Sequence, residues 1–173
     1  MNGCAISPDG SFIVSASWDN TLKVWDAKTG AQLAWLWGRL PRVRHARLTL
    51  SGHAYPVTGC AISPDGSFIV SASRDNTLKV WDAKTGAQRL TLSGHTDVVK
   101  GCAISPDGSF LVSASRDNTL KVWDAKTADC LATLYIDSPL NACACSPDNE
   151  RIVAAGAAGL YCIRFGCDPL KTP

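Results

Sequence analysis

Two sets of residues in this chain carry the side-chain types of a nucleophilic hydrolase. One is His53, Ser71 and Asp75, followed by Trp81; the other is His95, Ser113 and Asp117, followed by Trp123. A serine hydroxyl deprotonated by an imidazole, itself oriented by a carboxylate, is the machinery of acyl transfer. Every member of the second set lies 42 positions after its counterpart in the first. A catalytic triad is normally a single exposed constellation, whereas a set that recurs with its surroundings belongs to the architecture. The structural reading is therefore preferred: a buried imidazole and carboxylate must be paired, and an indole N–H needs an acceptor. An earlier partial set has Ser15, Asp19 and Trp25 but no histidine. A hydrolase using His95 and Ser113 is the weakest functional reading. The chain also lacks a GxxxxGK phosphate loop, an HExxH pair and a nucleophile elbow.

The elements that must position these residues are written three times. Residues Cys60 to Gln88, CAISPDGSFIVSASRDNTLKVWDAKTGAQ, recur as Cys4 to Gln32 with Trp18 in place of Arg74. They recur again from Cys102 with Leu111 in place of Ile69, the match ending at Thr127 before Ala128 to Cys130. Turn signals come at short intervals and leave room for strands alone. Ser63-Pro64-Asp65-Gly66 suits a type I turn, Asp75-Asn76 makes the next and Lys84-Thr85-Gly86 the third. The intervening segments, Val57 to Ser63, Ser67 to Ser73, Thr77 to Ala83 and Ala87 to Leu92, supply four strands. Phe68 and Val70 point to one face and Ile69 to the other, so both faces must be covered. Each repeat is then a four-stranded antiparallel meander that cannot bury its faces alone.

The period of 42, with Gly52-His53 and Gly94-His95 near repeat starts and Trp25-Asp26, Trp81-Asp82 and Trp123-Asp124 near the ends, resembles the WD40-repeat family. The resemblance covers most of the chain, excluding Leu33 to Ala46 and weakening after Ala128. It implies an all-β fold of β-propeller blades, about three and a half to four four-stranded meanders, a partial propeller as a single chain. It also implies that His53, Ser71, Asp75 and Trp81, like His95, Ser113, Asp117 and Trp123, form hydrogen-bonded tetrads within their blades. Blade one is expected over residues 1–50 with an insertion at 33–46, blade two over 56–92, blade three over 98–134, a degenerate blade four over 139–165, and a tail over 166–173.

Departures from the unit are informative. The chain enters directly into the innermost strand of blade one, so the usual clasp between termini is not expected to form in the usual way. The insertion, LAWLWGRLPRVRHA, interleaves Trp35 and Trp37 with Arg39, Arg42 and Arg44. Such mixing suits a nucleic-acid or anionic-lipid contact, although a duplication scar is the preferred reading. The fourth strand of blade one is either Ala31 to Trp37 or Arg47 to Leu50; the second is favoured because Arg47 to His53 repeats as Arg89 to His95. In blade four Ser146-Pro147-Asp148 persists, Ala158 stands where the turn aspartate was, and Arg164-Phe165 where Trp-Asp was.

Composition excludes little. At 173 residues and a formal charge of +2, neither nucleic acid nor an anionic membrane is implied, and no apolar run approaches a membrane span. A reduced cytoplasmic compartment is expected. Cys4, Cys60 and Cys102 occupy one repeat position and read as buried apolar thiols, not disulfide partners. Cys143 and Cys145 share a strand face without the further spaced ligands a metal needs, so no metal and no cofactor are expected.

Binding is what remains. The resemblance implies a protein or peptide partner on the face bearing the Gly-His loops and the turns between second and third strands. The residues carried there are Trp18, Arg74 and Arg116 before the turn aspartate, Pro56 and Thr58 in blade two, and Val98 and Lys100 in blade three. Arg74 with Arg116 suits an acidic ligand. The expected function is a non-enzymatic interaction scaffold or sensor module, resembling the sensor regions of bacterial signalling proteins. A homodimer of two half-rings is one expected way of covering the open sheets. The competing reading is a truncated or rearranged propeller fragment with no independent function.

Overall fold

The computed structural model describes residues 1–28 and 48–164, which form strands joined by turns. The insertion at 33–46 and the tail at 166–173 lie outside the described residues. Three sheets of four strands and one of three follow each other along the chain, each an antiparallel meander in sequence order. The first comprises β1 (Gly3–Ile6), β2 (Phe12–Ala16), β3 (Thr21–Asp26) and β4 (Leu48–Ser51). The second comprises β5 (Val57–Ile62), β6 (Phe68–Ser73), β7 (Leu78–Asp82) and β8 (Gln88–Leu92). The third comprises β9 (Val99–Ile104), β10 (Phe110–Ser115), β11 (Thr119–Asp124) and β12 (Cys130–Tyr135), and the fourth β13 (Leu140–Cys145), β14 (Arg151–Gly156) and β15 (Gly159–Arg164). No helix among the described residues is long and apolar enough to cross a membrane.

The turns form for local reasons. The Asp65 carboxylate accepts hydrogen bonds from Ser63 Oγ at 2.6 Å and the Ser67 amide at 3.0 Å, while the Gly66 amide donates to the Ser63 carbonyl at 2.9 Å. Gly66 closes that turn at φ +70°, and Asn76 closes the next at φ +66°, the left-handed region that Gly and Asn enter most readily. These hairpins fix the register, pairing Ile69 with Trp81 on one face and Val70 with Val80 on the other.

The core lies between sheets. Val14, Leu22 and Leu50 of the first sheet pack on Ile69 and Trp81 of the second. The second sheet's Val70, Leu78 and Leu92 pack on Leu111 and Trp123 of the third, and the third sheet's Val112, Leu120 and Val122 on Leu140 and Ile152 of the fourth. The second and third meanders therefore each bury one face on the meander before and the other on the meander after, while among the described residues the first and fourth each pack on one neighbour. The inner strands lie side by side in the order β1, β5, β9, β13. Their closeness has a residue-level cause: a Cβ on Gly101 of β9 would meet the Ala142 Cα of β13 at 3.1 Å, backbone against backbone.

Two expectations are corrected. Cys4 is exposed, unlike Cys60 and Cys102, because no sheet precedes blade one to cover it among the described residues. In blade four the hairpin joining β14 and β15 is one residue shorter, so Ile163 and Arg164 pair with Ile152 and Arg151 where Trp123 and Asp124 pair with Leu111 and Phe110. The Trp-Asp position thus falls on Ile163-Arg164, one residue earlier than Arg164-Phe165.

Candidate interaction face

In blade three the side chains of four segments converge. His95, from the loop entering the blade, sets Nδ1 2.8 Å from Asp117 Oδ2 and Nε2 2.7 Å from Ser113 Oγ. Trp123 Nε1 donates to the same Ser113 Oγ at 2.8 Å. Blade two repeats this, with His53 at 2.7 Å from both Asp75 and Ser71, and Trp81 donating to Ser71 at 2.8 Å. Burial holds the His95 pKa below its ordinary value, the hydrogen bond to Asp117 only partly offsetting it. A neutral ring then donates from Nδ1 to the carboxylate and accepts the serine proton at Nε2. Burial raises the Asp117 pKa, but hydrogen bonds from Thr119, the Thr96 amide and His95 outweigh it and hold the carboxyl below the usual range.

This is the order of a hydrolase triad without its access. Ser71 and Ser113 are fully buried, and each hydroxyl oxygen is occupied by an indole N–H. What the network does is fasten the entering loop to the second and third strands. Thr119 joins it, its hydroxyl 2.6 Å from Asp117 Oδ1 and 3.1 Å from His95 Nδ1. Sequence reasoning passed over Thr119 and Thr77; their signal was the repeated Asp-Asn-Thr. In blade one, Trp25 Nε1 still donates to Ser15 at 2.9 Å, but Asp19 turns to Thr21 and to Lys23, 3.7 Å away. Blade four substitutes a different link, in which Tyr161 OH donates to Asp137 at 3.2 Å and lies 3.1 Å from Ser138 Oγ. Tyr161 stands opposite Ala154, as Lys121 stands opposite Ser113.

The tetrads position the turns that follow β6 and β10, to which the turn after β2 corresponds in blade one. The Arg74 amide donates to the Pro56 carbonyl, and the Arg116 amide to the Val98 carbonyl, both at 3.0 Å, so each arginine leaves its turn beside the start of an inner strand. Both arginines are exposed, as is Trp18. The Arg74 guanidinium carbon lies 4.2 Å from the centre of the Trp18 ring, joining equivalent positions of blades one and two. Lys100 reaches the same neighbourhood from β9: partial burial, then the charges of Arg116 and Arg74, hold its pKa below the ordinary lysine value. Among the described residues none of these three cations forms an ion pair with a carboxylate. Pro56 and Val98 are half-buried. The Thr58 hydroxyl is committed within the protein, donating to the Val99 carbonyl at 2.5 Å and the Ala72 carbonyl at 3.0 Å. It ties blade two to blade three and is not free for a ligand.

Elsewhere, a cleft lined by Phe68, Leu90, Arg89 and Lys126 lies between blades two and three on the opposite rim. Among the described residues no cluster of His, Cys, Asp or Glu is arranged to hold a metal ion.

Compared with known proteins, the chain matches the family model described as WD domain, G-beta repeat, over residues 1–26, 45–82 and 86–124, more than half its length. It is 34% identical over 100 residues to Transcription initiation factor TFIID subunit 5 of Arabidopsis thaliana, covering 50% of this chain and 14% of that protein. It is 36% identical over 84 residues to Ribosome biogenesis protein WDR12 homolog of Drosophila yakuba, 47% of this chain and 20% of the relative. Nuclear distribution protein PAC1 of Arthroderma benhamiae is 38% identical over 73 residues, 42% of this chain and 13% of its own length. The chain therefore spans no more than a fifth of these relatives.

Proposed function

The chain belongs to the WD40-repeat family, and we propose that it is a non-enzymatic scaffold or sensor module whose Gly-His-loop face receives an acidic protein or peptide. The observation that carries this reading is the convergence of Arg74, Arg116 and Lys100 on that face without a carboxylate partner among the described residues. Unpaired guanidiniums offer forked donors that match carboxylates, and an arginine already stacked on Trp18 loses less freedom on binding. Val98 and Pro56 give a half-buried apolar floor beside them. A role in signalling and a cytoplasmic location accompany this reading, as does a second partner, another copy of the chain that covers the open sheets.

The test is fluorescence anisotropy with a labelled oligo-glutamate peptide at low and moderate salt. The double variant Arg74→Ala/Arg116→Ala should bind about tenfold more weakly, two exposed charge-assisted contacts being lost. Affinity unchanged by the double variant would remove the face assignment.

A further inference from the structure

Among the described residues the blade-to-blade joint is made three times, and its two halves stand unmatched on the outer faces of the first and fourth sheets. The receiving half is the face that, in blade two, carries Ile69 and Trp81 at 0% and 1% exposure and, in blade three, Leu111 and Trp123 at 0% and 1%. Blade one has the same face in Ile13 and Trp25, both half-buried, with Ile6 beside them at 64% exposure. The covering half in blade three is Val112, Ala114, Leu120 and Val122, all at 0%. By strand register blade four carries Val153, Ala155, Leu160 and Cys162 at those positions. Leu160 is 73% exposed where Leu120 is sealed.

A thiol series marks the same joint. Cys60 Sγ lies 3.8 Å from the Val14 carbonyl oxygen, Cys102 Sγ 3.8 Å from that of Val70, and Cys143 Sγ 3.6 Å from that of Val112. Cys4, first in the donor series, is exposed. Val153, next in the acceptor series, lies on the outer face of the fourth sheet.

We infer that the occupant of both faces is a second copy of this chain, the blade-four face of each copy covering the blade-one face of the other and closing one ring through two identical joints. This rests on the self-association proposed above and names its surfaces. The faces are complementary because they reproduce, with Cys162 standing for Val122, a joint that the chain already makes with itself. The described residues leave both faces open; two copies make about eight blades, within the roughly 4 to 8 that propellers use. In the closed ring the Cys4 thiol donates to the carbonyl of Val153 of the partner subunit.

Sedimentation equilibrium of the full chain should give twice the chain mass, and Leu160→Asp should give a folded monomer, because Leu160 is exposed within one copy and buried only in the joint. Maleimide labelling with peptide mapping supplies a second readout. In the parent protein Cys4 and Cys162 should react at least tenfold more slowly than in Leu160→Asp, while exposed Cys130, on the outer strand β12, reacts equally in both. A monomeric parent overturns both the joint and self-association. A dimer that survives Leu160→Asp, or leaves Cys4 reactive, overturns the joint while self-association stands. Larger rings or filaments overturn closure by two copies.

Discussion

Burial decides the charge of His95. The folded state holds its pKa below the ordinary 6.5, so the unfolded chain binds the proton more readily and stability rises with pH across that window. This contribution is whole above 6.5 and is lost as pH falls from 6.5 toward the lower folded value. Asp75 and Asp117, held below 3.8, add a second contribution, present above 3.8 and lost as pH falls below it. A urea midpoint measured against pH should therefore be level above about pH 7 and decline below about pH 6, with a further decline below about pH 4. A midpoint that stays level from neutrality to about pH 4.5 would contradict the buried neutral histidine. His95→Ala should cost about 2–3 kcal/mol in urea unfolding, since it leaves the buried Ser113 hydroxyl proton without its acceptor and removes one of the donors that hold the Asp117 carboxylate. Trp25→Phe should cost about 1 kcal/mol or less, because the Trp25 ring is only half-buried.

At the scale of elements, the inner strands separate two glycines that look alike in sequence. Gly3 and Gly101 occupy one repeat position, yet a Cβ on Gly3 would meet its nearest atom, the Gly59 Cα, at an ordinary 3.6 Å, whereas on Gly101 it would meet the Ala142 Cα at 3.1 Å. Backbone cannot move aside as a side-chain tip can. Gly101→Ala should therefore lower stability by about 1–3 kcal/mol, and Gly3→Ala should change it by less than about 0.5 kcal/mol, both read from urea midpoints. The reason lies in the joint of β9 with β13, not in either glycine's own dihedrals. The corresponding joint between blades one and two places Arg74 on Trp18, a contact for which the two residues' shared repeat position was the available signal.

For the whole molecule, a ring of two copies couples folding to association. The melting temperature of the parent protein should rise with protein concentration, by several degrees over a hundredfold range, while that of Leu160→Asp should not. Scanning calorimetry at several concentrations checks this. It also separates stability supplied by the second copy from stability held within one chain, where three joints are already formed.

The repeated sequence by itself determined the strands and their turns, because hairpin geometry and alternation are local and repeat when the sequence repeats, and the family resemblance it carries implied the residue sets that meet in the tetrads. The family resemblance marked Trp18, Arg74 and Arg116, the residues before the turn aspartates, as candidates. What identical sequence could not distinguish is position in the arc. Cys4 is exposed and Cys102 is not, and Trp25 is half-buried where Trp81 is sealed, because burial belongs to the neighbouring sheet and not to the residue. The tertiary structure likewise decided that Ile163-Arg164 takes the Trp-Asp position, since pairing across β14 and β15 counts from the hairpin, and one missing turn residue shifts every partner after it. It decided, finally, that Thr58 serves the joint between blades while Lys100 lies near enough to Arg116 and Arg74 to feel their charges. Each repeat determines its own hydrogen bonds, and only the packing of repeats on one another determines which surfaces remain to be covered.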